Sequence, residues 1–133
     1  MPVPVEQTEP IKVANLSPML LAKIRLMISD ERNEIVGKDD GNEYFTITPP
    51  GSNTAVIALE SERIGDSSIR FTLSVHNGTT GEIIVVCQEN SNKSPHLRDL
   101  CLLMRRECIS RGVEKRKKAQ TAAEKYLDSF LSR

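Results

Sequence analysis

Apolar residues recur along this chain with three successive rhythms. Leu20, Leu21, Ile24, Met27 and Ile28 fall at i, i+1, i+4, i+7 and i+8, which gathers them on one face of an α-helix. Ser17-Pro18 stands just before them. A serine there can accept a hydrogen bond from a free backbone N–H, and proline at the first helical position gives up no intrahelical bond. The spacing predicts a helix over 18–29.

From about residue 33 the period shortens to two. Runs at 34–37, 43–48, 54–60, 68–76 and 81–88 alternate with turn residues. The clearest places Ile69, Phe71, Leu73 and Val75 on one face and Arg70, Thr72, Ser74 and His76 on the other. Pro49-Pro50-Gly51-Ser52-Asn53, Ile64-Gly65-Asp66-Ser67 and the loop from His76 to Gly81 read as turns, and no helix-length insertion separates the runs. An antiparallel meander of four to five strands follows. Phe45, Ile47, Ala55, Ile57 and Leu59 join the Ile69–Val75 set on one face, with Tyr44, Thr46, Thr48, Val56, Ala58, Thr72 and Ser74 on the other. The strand IIVVC is apolar on both faces. It asks for one helix per face, or for both helices on one face and a second subunit on the other.

The third rhythm is helical again. After Ser94-Pro95, another helix start, Leu97, Leu100, Cys101, Met104 and Cys108 form a stripe widened by Leu103 and Ile109. It fails around Arg111-Gly112, where a mid-helix glycine costs about 1 kcal/mol relative to alanine. Ala119, Ala122, Ala123, Tyr126, Leu127, Phe130 and Leu131 then resume it. The C-terminal region is therefore one long helix or two hinged at Gly112. The expected fold is α+β: an N-terminal helix, the four- to five-stranded antiparallel meander and a long or hinged C-terminal helix. Residues 1–14, with Pro2, Pro4 and Pro10 and no periodicity, are expected to be a flexible tail. Residues 15–110 form the single domain that 133 residues allow, and 111–133 a basic, amphipathic helical extension.

Charge modifies this picture only locally. Eighteen basic and eighteen acidic residues balance. From Cys101 to Arg133 there are nine Lys/Arg against four Asp/Glu, a local excess of +5. Arg105, Arg106, Arg111, Lys115, Arg116, Lys117 and Lys118 are the candidate phosphate contacts. Four consecutive basic residues on a helix span about 300° of arc, however, so Lys115 to Lys118 surround the axis and line no single side.

Dedicated chemistry is not apparent. Cys101 and Cys108 lie about 10.5 Å apart along a helix, too far to share one tetrahedral zinc. Both fit the apolar stripe as small core residues. The stretch Asp39-Asp40-Gly41-Asn42-Glu43 lacks the alternating ligands of a calcium loop and reads as a turn. His76 and His96 are the only histidines, and no nucleophile motif, HExxH or glycine-rich helix opening accompanies them. No cofactor, metal or catalytic residue is expected. Three unpatterned cysteines, no apolar run of about 20 residues and no signal-like start point to an intracellular, cytoplasmic protein off the membrane.

Contact remains as the expected work. The sequence suggests a non-enzymatic assembly or adaptor protein, a homodimer. Its interface residues would be Ala119, Ala122, Ala123, Tyr126 and Phe130: small residues allow close helix approach and aromatics supply interface energy. The alternative is sequence-tolerant nucleic-acid binding through the basic residues named above.

Overall fold

The computed structural model describes residues 11–12, 16–39, 41–90 and 96–132. In chain order the elements are β1 (Ile11–Lys12), α1 (Pro18–Ser29), β2 (Glu34–Asp39), β3 (Glu43–Thr48), β4 (Ile57–Ile64), β5 (Ser68–His76), β6 (Ile83–Asn90) and α2 (His96–Leu131). The α+β architecture is the expected one. Strands β2 to β6 form an antiparallel meander in the sheet order β1-β6-β5-β4-β3-β2. One strand was not foreseen: Ile11 and Lys12, within the stretch read as a flexible tail, pair in parallel with Cys87 and Gln88. The rest of the tail read as 1–14, residues 1–10 and 13–14, lies outside the described residues, as do Ser94 and Pro95.

Helix α1 starts as its sequence dictates. The Ser17 hydroxyl accepts from the backbone N–H groups of Met19 at 3.2 Å and Leu20 at 3.4 Å, with Pro18 in the first turn. Ile24 and Ile28 are buried, and Leu20, Leu21 and Met27 flank them. The turns also form where polar residues and glycines place them. Asp39 Oδ1 accepts from Gly41 N at 3.2 Å, Asn77 Oδ1 accepts from Thr79 N at 2.9 Å and Thr80 N at 3.1 Å, and Gly81 has φ of 78°. The acidic stretch at 39–43 is thus the β2–β3 turn region.

Register sorts the two faces of the sheet. Phe45, Ile47, Ile57, Leu59, Phe71, Leu73 and Cys87 form one buried layer with Ile24 and Ile28 of α1 and Leu97, Leu100, Cys101 and Met104 of α2. Both helices therefore lie on the same face, not one on each. The opposite face carries the cross-strand row Val36–Thr46–Ala58–Ser74–Val86. Ala58 is buried there. The strand read as covered on both sides is only partly so: Cys87 is fully buried, Val85 and Val86 half-buried, and Ile83 and Ile84 exposed. A register shift at Val75/His76 carries the start of β6 away from the helical layer.

Two features seat α2. Glu89 on β6 is buried, and its Oε1 accepts from Leu97 N at 3.3 Å. A carboxylate at this end meets the positive pole of the helix dipole. At the far edge Gly37 makes room. A Cβ built there would lie 2.9 Å from the Phe45 ring and 3.5 Å from Cys108 Sγ. The bare backbone thus lets the helix pass close over the edge strand.

The thiols follow from this packing. Burial pushes Cys87 and Cys101 up to about 11, and Cys108 moves the same way, again chiefly through burial. At pH 8 the native protein is expected to leave Cys87 and Cys101 unmodified by Ellman's reagent, with Cys108 reacting slowly. All three should react at once in denaturant. Prompt native titration of all three would contradict the burial.

Candidate protein interface

Helix α2 runs unbroken from His96 to Leu131, 36 residues and about 54 Å. Gly112 does not hinge it. The helix crosses the sheet from β5 to β2, and Arg105 of α2 pairs with Glu43 of β3 on the way, its Nε donating to Oε2 at 2.8 Å. The last firm anchor is Arg111. Its guanidinium donates to the Asn33 carbonyl, to the Asp30 carbonyl at 3.1 Å and to Glu107 Oε1 at 2.9 Å. Asn33 in turn is buried and donates through Nδ2 to the Met27 carbonyl at 2.9 Å. Alongside, hydrogen bonds from the Arg32 side chain and backbone hold the half-buried Asp30 carboxyl down to about 2.

Beyond Val113 the helix leaves the body. Every residue over 114–132 is exposed. Ala119, Ala122, Ala123, Tyr126 and Phe130 are all there, none packed against the sheet, with Leu127 and Leu131 beside them. Tyr126 is 66% and Leu131 81% exposed. Tyr126 and Phe130, one helical turn apart, stand edge to face with ring centroids 5.1 Å apart.

The structure adds an alignment that the sequence reading missed. At 100° per residue, Lys115, Ala119, Ala122, Tyr126 and Phe130 fall within about 60° of the direction set by Leu97, Met104 and Cys108. The projecting stripe thus continues the buried one, and faces the side where the sheet would be if it extended past β2. Lys115 interrupts the apolar pattern at that centre line, which hides the continuity from a count of apolar residues. At the junction lies an open cleft of about 840 Å³ between the edge strand and α2, lined among others by Asn33, Glu34, Val36, Glu114, Lys115 and Lys118.

The seven basic candidates separate into two groups. Arg105 and Arg111 are held by Glu43 and by Glu107 with two backbone carbonyls. Arg106, Lys115, Arg116, Lys117 and Lys118 are exposed, the last four around the projecting helix. Among the described residues no group of three or more His, Cys, Asp or Glu could hold a metal ion, and no helix is long and apolar enough to cross a membrane. Compared with protein-family models, curated proteins and solved structures, the chain matches none.

Proposed function

We propose that the chain is a non-enzymatic assembly or adaptor protein, working through protein–protein contacts as a homodimer, with the projecting part of α2 as its docking element. One observation carries this reading. Eighteen helical residues over 114–131 stand clear of the body, and their apolar stripe is in line with the one the body has already buried. An apolar stripe left facing water on a helix of that length is what a packed partner would cover. The exposed basic block supports the second reading, nucleic-acid binding by Arg106 and Lys115 to Lys118.

Light scattering across a size-exclusion peak, with absorbance at 260 and 280 nm, tests both. The full chain is expected at twice its 14.8 kDa with a protein-like absorbance ratio. The double variant Tyr126→Asp/Phe130→Asp is expected at the monomer mass with unchanged body structure by circular dichroism. Cutting after Val113 should do the same, since Arg111 and its bonds are kept. A monomeric full chain refutes the homodimer, and a cut chain that no longer folds makes the segment part of the core. Absorbance at 260 nm that disappears in strong salt would transfer the function to nucleic acid.

A further inference from the structure

We propose that two copies pair through their projecting helices in antiparallel fashion, centred between Ala122 and Ala123, with each helix end seated in the other copy's cleft beside β2. This rests on the homodimer reading and specifies its geometry.

Three observations converge on it. The first is positional. Full overlap of two segments 114–131 running in opposite directions has its midpoint at 122.5. That is where Ala122 and Ala123 stand, with Ala119 the smallest side chains of the stripe. Small residues at the crossing let two helix axes approach closely, and Tyr126 then lies opposite the other copy's Ala119, large against small.

The second is the cleft. In the same register Phe130 arrives opposite Lys115 of the other copy, while Leu127 and Leu131, about 120° and 160° from the stripe direction, face away from it. Lys115 lines the cleft between α2 and the edge strand, with Glu114 and Lys118 beside it. The cleft thus lies where an antiparallel mate delivers the Phe130 end of its stripe, and the aliphatic stems of Lys115 and Lys118 offer cover. Phe130 over Lys115 is also a cation–π pairing.

The third is charge. Helix α2 has no basic residue in its last turn to face the negative pole of the helix. Antiparallel pairing brings that pole to Lys115 and Arg116 of the mate. Parallel pairing does the reverse: it sets the two Lys115-to-Lys118 blocks side by side. In the antiparallel arrangement the blocks are about 18 Å apart along the axis, beyond the screening length of about 8 Å at physiological salt.

Single cysteines in the full chain, with Cys108→Ser to remove the half-exposed native thiol, test the geometry under mild oxidation. Ala123→Cys should cross-link to its mate, because the two copies of position 123 lie within about 2 Å along the axis. Ser129→Cys should cross-link about ten-fold less, its two copies being about 20 Å apart axially. Both substitutions sit on exposed helix and leave the fold intact. Equal cross-linking at 123 and 129 would mean a parallel pair. A dimer by light scattering that cross-links at neither position would mean a different interface. Either outcome overturns this inference and leaves the homodimer standing, whereas a monomeric full chain removes both.

Discussion

Replacing Met104 with alanine is expected to lower the unfolding free energy by about 2–5 kcal/mol, the range for deleting most of a buried Met or Leu side chain. Met104 is fully buried where α2 crosses the sheet, in one cluster with Leu59, Leu73 and Leu100. The loss has two parts: apolar surface returned to water in the unfolded chain, and a cavity that two helices and a sheet cannot close without moving together. Leu103, one position earlier, turns outward and is exposed, so Leu103→Ala is expected to stay within about 0.5 kcal/mol. Urea unfolding followed by circular dichroism measures both, with equal slopes confirming a common transition. A Met104→Ala loss below about 1 kcal/mol would mean that α2 does not hold the sheet as described.

Arg111→Ala is expected to cost about 1.5–3 kcal/mol, the range for removing hydrogen bonds made by a charged group. One guanidinium reaches two carbonyls of the turn after α1 as well as Glu107, and its side chain is only 22% exposed. It fastens α2 to the α1–β2 turn where α2 leaves the body. The two carbonyls, not the ion pair, account for most of the effect, because a partly exposed pair contributes little. Arg111→Lys is therefore not expected to restore stability: an ammonium lacks the planar fork that serves three acceptors at once. Hydrogen exchange should quicken around residues 30–33 in both variants. Wild-type stability in Arg111→Lys would show that charge alone suffices.

Much of this was readable in the chain. The bounds of α1 came from Ser17-Pro18 and the stripe through Ile28, and the strand cores came from period-two alternation. Alternation specifies which residues share a face, as with Phe45, Ile47, Leu59 and Leu73. It does not say which face a helix will cover, so the placement of both helices together was undetermined. Strand β1 could not be read: two residues hold no periodicity, and their pairing depends on a strand more than seventy residues away. The link from Glu89 to Leu97 likewise joins a strand to a helix with no local pattern.

The candidate interface residues were legible as types, their alignment was not. Lys115 at the centre of the stripe and Arg111 just before it look like the end of an amphipathic pattern. In the structure Arg111 faces inward because it binds backbone carbonyls. The sequence also left open a hinge at Gly112. A glycine's cost of about 1 kcal/mol is small against a helix held by packing on one side of it and by good helix formers, alanine and lysine, on the other.

That continuity matters for how the projecting segment exists at all. Starting a helix is its unfavourable step, since several residues must be fixed for the first hydrogen bond, while each later residue adds one bond for one residue fixed. In α2 the first turns are formed by the body around Leu97, Leu100 and Met104. The segment beyond Val113 therefore grows from an existing template and never needs to nucleate alone. Its ordering is inherited from the core, so the proposed partner would meet a rod already in shape.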